Sequence, residues 1–164
     1  DIHIRWKEWH PAARRPLIEL NACYLRREAA EAVAAAEAKA LRHQRRLKLT
    51  DCYLPLSAEK LTARSRSLNH AHGYAVDLLL VGLDGAEPPL PKDYRTGHRP
   101  IQSLSPEAAA SVRALTILME QAGFQANPDR NRWWHFTWPG WKDAPSLNLT
   151  LTQLEQEAAS KPAR

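Results

Sequence analysis

Apolar and polar positions change rhythm several times along the chain, and each change predicts an element. Residues 2–6 read as a short strand, followed by a polar, proline-bounded loop over 11–16 with Arg14 and Arg15 in solvent. Leu25, Ala29, Ala32, Val33, Ala36 and Ala40 then recur every three or four positions, while Arg26, Arg27, Glu31 and Lys39 fall between them. That spacing predicts a packing helix within residues 23–46, with one buried stripe. Leu47, Leu49 and Asp51 alternate with Lys48 and Thr50 as far as Pro55, which suits a strand ending in a turn, because proline cannot continue a central ladder. Residues 57–63 add a helical turn or two. Residues 74–81 are apolar except for Asp77, as expected of a central strand buried on both faces, and a carboxylate buried there demands a partner.

The second half is punctuated by proline and glycine. Residues 82–100 predict a long surface loop able to overhang a cleft. Ser105-Pro106-Glu107 supplies a hydroxyl cap, a proline at the first helical position and an acidic first turn, so a helix starts there, buries Val112, Leu115, Met119 and Ala122, and stops at Gly123. Residues 133–138 form an aromatic strand, and residues 149–160 a terminal helix before a frayed Lys-Pro-Ala-Arg tail. No repeat and no second domain are visible. The expected fold is α+β, a central and mostly antiparallel sheet with flanking helices, in one domain over residues 1–164 with its core at about 20–141.

Composition narrows the function. With 164 residues, 44% hydrophobic and 25% charged, the chain has the make-up of one globular domain that needs neither a metal nor a disulfide merely to fold, so a metal site would suggest chemistry. The net charge of +5 and a sequence pI near 9.5 favour anionic surroundings. The densest basic runs, residues 42–48 and 64–66, read as a solvated helix end and a loop, so nucleic acid is not an expected partner. Apolar runs are far too short for a membrane span. Nothing reads as a signal peptide, although an opening Asp1-Ile2-His3-Ile4 would suit a mature chain whose leader was removed. The two cysteines, Cys23 and Cys52, have no zinc-finger spacing. A bridge between them requires the helix and the returning strand to cross obliquely, and pairing stays open.

The segment His70-Ala71-His72-Gly73-Tyr74-Ala75-Val76-Asp77 carries the clearest chemistry. A histidine in a loop entering a strand can face a carboxylate seven residues later across one cation, with Gly73 allowing a tight turn, and zinc accepts both donor types. A buried hydrogen-bonded His–Asp pair would explain the same residues. His135, between Trp134 and Phe136, sits in a dry aromatic setting where it is either a third ligand or a core histidine bonded to a backbone carbonyl.

Taken together, His-x6-Asp followed by Trp133-Trp134-His135 resembles the D-alanyl-D-alanine dipeptidases linked to vancomycin resistance, within the lysostaphin, D-Ala-D-Ala and hedgehog group of zinc proteins. That family's strand motif reads Ser-x-His-x-x-Gly-x-Ala-x-Asp, and His70, Gly73, Ala75 and Asp77 stand at matching positions. Cys23-Tyr24-Leu25-Arg26, and Asp51-Cys52-Tyr53 with Pro55, also resemble family segments, so the likeness covers about residues 23–138. It implies a D-Ala-D-Ala metallopeptidase-like fold and Zn2+ held by His70, Asp77 and His135.

The same likeness exposes what this chain lacks. The family's general base, a Glu three residues before the last ligand, is replaced by Arg132, which stays protonated and cannot take a proton. The arginine that stabilises the developing oxyanion is replaced by Leu54, and the serine two positions before the first ligand by Leu68. The acidic segment that grips the substrate's amino group is not recognisable within 82–100, and the interval from Leu54 to His70 is shorter than in the dipeptidases. Asp129 is a candidate displaced catalytic base, against its reading as a solvated turn residue after Pro128. Arg132, His72 and Trp133 are candidate substrate contacts, Arg132 as a fixed positive charge for a carboxylate or phosphate and His72 as a possible extra ligand or proton carrier; His98 is a solvated loop residue or part of a lid.

The expectation is a zinc-bearing, catalytically impaired D,D-dipeptidase-like protein that binds a cell-wall peptide, another D-amino-acid peptide or a protein partner. The alternative is an active zinc D,D-peptidase or amidase with relocated groups. A periplasmic or secreted location fits the cysteine pair and the cell-wall likeness, with the cytoplasm as the other option.

Overall fold

The computed structural model describes residues 6–10, 15–20, 23–57, 69–92, 94, 100–127 and 131–160, with side chains throughout except at 6–10, 15–20 and 157–160. The expectations placed on residues 1–5, 11–14, 58–68, Leu68, His98, Asp129 and the 161–164 tail lie outside the described residues. Leu56 and Ser57 do begin a helical turn.

The central sheet has the order β3-β4-β6-β5, built from β3 (Arg45–Asp51), β4 (Ala75–Gly82), β5 (Gln125–Ala126) and β6 (His135–Thr137). Every pairing within it is antiparallel. Helices α1 (Arg27–Arg42), α2 (Pro106–Gln121) and α3 (Leu151–Ser160) accompany it among the described residues, so the fold is α+β. No helix among the described residues is long and apolar enough to cross a membrane.

Strand β4 is the centre of this arrangement because residues 75–81 are all buried. Side chains alternate across a strand, so β4 feeds two apolar clusters at once. Val76, Leu78 and Leu80 join Ala29, Val33, Ala36 and Ala40 of α1, together with Leu115, Met119 and Phe136. The small alanines let the helix approach the sheet closely. Leu79 and Val81 point the other way, into a cluster with Leu104, Ala108, Val112, Trp133 and Trp134, against which Leu90, Tyr94 and Ile101 pack. The loop after β4 thereby covers the face that Asp77 also occupies. Each fully buried Leu, Val or Phe contributes roughly 1.5–3 kcal/mol, and burial at this scale outweighs the cost of placing one carboxylate in the same strand.

Two expectations about basic residues and ends are revised. Residues 45–48 belong to β3 and not to a helix end: Arg46 and Lys48 are exposed while Leu47 and Leu49 are buried, the period of a strand. The helix stops at Arg42 because Gln44 adopts a left-handed φ of +57°, and Glu37 reaches forward to accept from the Leu47 backbone N–H at 2.6 Å. Further on, Ser105 accepts from the Ala108 N–H at 3.2 Å and caps α2 as its sequence indicates. At the other end Gly123, with φ +97°, stands where a Cβ would meet the Trp138 ring at 3.1 Å.

The chain's opening also differs from expectation. Residues 6–10 form β1 (Trp6–His10), paired antiparallel with β2 (Arg15–Leu20), so Arg15 and Pro16 lie in a strand and not in the expected loop. Proline at the start of a strand removes a ladder donor without breaking the pairing, which hides such a strand from a breaker-based reading. The aromatic strand is shorter than its composition suggests: only His135–Thr137 pair, while Trp133 and Trp134 form the turn before them, closed by the His135 N–H donating to the Arg132 carbonyl at 2.9 Å.

Candidate metal centre

Three elements bring the candidate ligands together. His70 opens a 3-10 turn, His70–His72, that Gly73 ends with φ +72° while its N–H donates to the His70 carbonyl at 2.9 Å. The expected loop is therefore a turn fixed by the glycine. Asp77 lies on β4 and His135 on β6, and the two are direct partners in the antiparallel register. Directly opposed residues project to the same face, which puts carboxylate and imidazole in contact. His70, Asp77 and His135 are 5%, 4% and 2% exposed, so all three donors are removed from bulk water.

The donor atoms of the three residues lie within 4.8 Å of one another. The His135 Nδ1 is 2.6 Å from an Asp77 carboxylate oxygen, and the His70 Nε2 is 3.4 Å from the same oxygen. Two ligands about 2.1 Å from a tetrahedral ion stand roughly 3.4 Å apart. The His70–Asp77 separation meets that value, and the His135–Asp77 contact is contracted to a hydrogen bond.

Outer contacts set the protonation of the first histidine. His70 Nδ1 is 2.6 Å from the Cys52 carbonyl oxygen, which can only accept, so Nδ1 carries the proton and Nε2 presents its lone pair to the cluster. A histidine held by a backbone carbonyl on its far nitrogen is the usual support of a metal-ligating imidazole. His135 has its Nε2 2.9 Å from the Asn69 side-chain nitrogen and 3.3 Å from Thr137 Oγ1. Asn69 also donates to Thr137 Oγ1 at 2.9 Å. In this arrangement His135 Nδ1–H donates to Asp77, and a cation taking that proton's place requires the opposite tautomer, which a half-turn of the Asn69 amide accommodates by presenting its oxygen.

Electrostatics point the same way. Burial alone would raise the Asp77 carboxyl, but the attraction and hydrogen bond of His135 outweigh it, with His70 adding to them when protonated, and hold the group well below the ordinary carboxylate range. Burial pushes the His135 imidazole down; Asp77 opposes this, and the charges of His70 and Arg132 add to the lowering. The cluster is thus an anion flanked by imidazoles, at least one of which resists protonation, and a buried group of this composition can hold a metal ion.

A prediction about the metal-free protein follows from those two directions. Both folded-state values lie below the unfolded ones, so both groups contribute stability that is complete above the unfolded pKa and lost as pH falls. The His135 contribution begins to fade below about pH 6.5 and that of Asp77 below about pH 4. Melting temperatures in chelator should therefore fall in two stages on acidification, and His135→Gln should flatten the upper stage. An unchanged profile in that variant would show that His135 is not buried in its neutral form.

Other residues singled out by sequence lie around this centre. Arg132 is half-buried, three residues before His135, and close enough for its charge to act on that imidazole. Leu54 is buried, at 8% exposure. Trp133 is a core residue, stacked on Tyr94 with ring centroids 5.4 Å apart and edge-on to Trp134 at 5.1 Å. His72 turns toward the C-terminal segment: its Nδ1 is 2.7 Å from the Ala144 carbonyl oxygen and its ring meets Trp141 edge-on. The metal-capable group does not include it. Sequence reasoning passed over Asn69, Thr137 and the Cys52 carbonyl. Thr137 was discoverable, since it lies two residues from His135 on a strand and so shares its face.

No protein-family model matches the chain, and no curated protein matches it, so the reading of this centre rests on its own geometry.

Proposed function

We propose that the chain is a zinc protein of the D-Ala-D-Ala dipeptidase type, with the corresponding metallopeptidase-like fold, in which His70, Asp77 and His135 hold the ion and the site binds a peptide more readily than it cuts one. The observation that carries this reading is the buried convergence of three donors with the His70 Nε2 lone pair fixed by the Cys52 carbonyl. Two imidazoles and a carboxylate suit zinc better than harder cations, which prefer an all-oxygen shell. When bound, the ion supplies Lewis acidity and a positive charge.

The chain's own residues argue for holding over hydrolysis. Arg132 stands three residues before a ligand, where a proton acceptor would be needed, and remains charged; it serves instead as an anchor for a ligand carboxylate, such as the C-terminus of a D-amino-acid or cell-wall peptide. Leu54 offers no hydrogen bond to a developing oxyanion. The Cys23–Cys52 disulfide supports an oxidising location, periplasmic or outside the cell.

Metal analysis tests the reading. Protein purified in zinc and dialysed against buffer should retain about one zinc per chain, and His70→Ala or His135→Ala should lose it while staying folded. A zinc-free wild type whose His70→Ala variant unfolds would show instead that these residues are only core partners. Calorimetry of the zinc-loaded chain with a peptide ending in D-Ala-D-Ala addresses the ligand class, and binding that survives Arg132→Gln unchanged would remove the arginine's assigned part.

A further inference from the structure

The acceptor that orients His70 belongs to a residue that is itself covalently tied. Cys52 forms a disulfide with Cys23, with Cα atoms 5.6 Å apart, and its carbonyl is the group 2.6 Å from His70 Nδ1. Cys52 follows the end of β3 and lies in no regular element, so neither the strand ladder nor a helix fixes that carbonyl's direction. The backbone bond from Tyr53 N–H to the Tyr24 carbonyl, at 3.0 Å, runs beside the disulfide and depends on the same two segments staying together.

Residues 23–26 also hold the end of the turn that His70 opens. The Arg26 N–H donates to the Gly73 carbonyl at 2.8 Å, and its Nε donates to the His72 carbonyl, also at 2.8 Å. Its guanidinium lies over the Tyr74 ring, 5.3 Å from the centroid. One short stretch before α1 therefore clasps the turn that carries His70 and, through the disulfide, the carbonyl that selects its tautomer. Cys52 is buried at 3% exposure and Cys23 is half-buried, so the bridge is better covered at its Cys52 end.

We propose that the Cys23–Cys52 disulfide is a redox latch on the metal centre: intact, it holds the Cys52 carbonyl against His70 Nδ1, and its reduction loosens the bound zinc. This inference rests on the zinc reading above. A dithiol reductant breaks the Sγ–Sγ bond by supplying two electrons and two protons; both cysteines become thiols and the reductant leaves as its own disulfide. With the cross-link gone, the Cys52 peptide keeps the Tyr53 N–H bond to the Tyr24 carbonyl but turns more readily, His70 exchanges between tautomers, and the fraction presenting Nε2 to the ion falls. Removing an outer partner of a metal ligand typically weakens affinity by about ten- to a hundredfold.

The test compares zinc dissociation constants of the full chain, by competition with a chromophoric chelator, in the oxidised form and after reduction with a phosphine, which becomes its phosphine oxide and competes little for zinc. Far-UV circular dichroism follows the fold in each sample, and Cys23→Ser/Cys52→Ser provides a second, permanently open form. The expected result is a ten- to hundredfold weaker constant in the reduced and double-serine chains with the fold retained, and recovery when the wild type is reoxidised. Equal constants in the oxidised and reduced forms overturn the latch alone. Zinc loss that occurs only together with loss of the circular dichroism signal also overturns it, since the disulfide would then hold the fold and not the ligand. A chain that binds no zinc even when oxidised overturns the metal reading and the latch with it.

Discussion

Asp77→Asn is expected to abolish high-affinity zinc binding while leaving the metal-free fold nearly intact. The carboxylate is the only anion in the three-residue group and contacts both imidazoles, so losing its charge should weaken binding by more than the hundredfold that outer partners cost. Asparagine keeps the shape: its amide oxygen can take the place of the Asp77 oxygen that faces both imidazoles and accept from His135 Nδ1–H. The metal-free cost is therefore that of weakening hydrogen bonds to a charged acceptor, about 1–3 kcal/mol. Zinc at a hundred times its dissociation constant stabilises the wild type by about 2.7 kcal/mol, which raises the melting temperature of a domain this size by roughly 5–10 °C. The variant should show no such rise. An equal rise in both proteins would mean that zinc binds elsewhere.

The parts of this centre that could be read beforehand are those set by strand and helix periodicity. A single Asp in the apolar run 74–81 was bound to be buried, because every neighbour of Asp77 on β4 is buried as well. The alanine stripe of α1 and the Ser105 cap of α2 depend on local spacing, and both occur where the pattern puts them. What sequence did not disclose is tertiary. Asp77 and His135 meet because β4 and β6 pair in one register, and no local signal specifies a partner 58 residues away. The Cys52 carbonyl is a backbone group whose role has no side-chain signature, and the non-helical segment before α1 that brings Cys23 to within 5.6 Å of Cys52 leaves no local pattern.

Length was the other weakness. Trp133 and Trp134 have strong strand preference but form a turn whose large rings fill the second cluster. The two-residue β5 is too short to leave a pattern, and β2 was masked by its proline. The group His70, Asp77 and His135, which could hold a metal ion, is unaffected, since Gly73 and the β4–β6 pairing bring it together. Those errors did change the surroundings: Trp133, a candidate substrate contact by sequence, is a core residue, 3% exposed and packed against Tyr94, and not an open surface.

Arg132→Glu is the change expected to alter activity most. On the proposed dipeptidase-type reading, hydrolysis of D-Ala-D-Ala by zinc-loaded wild type should be negligible, because Arg132 takes the sequence position of the proton acceptor and stays protonated. General bases contribute about 10²–10⁴ in rate, so glutamate at this half-buried position should raise any residual hydrolysis by about that factor, provided the peptide still binds. The substitution also reverses a local charge: Arg132 helps lower the His135 imidazole, and a carboxylate there should raise it, which an NMR titration of the metal-free variant would register. Adding Leu54→Arg carries a larger risk, since that side chain is 8% exposed and an unpaired buried guanidinium destabilises by several kcal/mol. The single variant is therefore the cleaner measurement. A folded, zinc-loaded Arg132→Glu protein with no gain in rate would mean that the grip on substrate was lost together with the base. Hydrolysis by the wild type that disappears in Asp129→Asn would show that the base was relocated, and the site would then be a working peptidase.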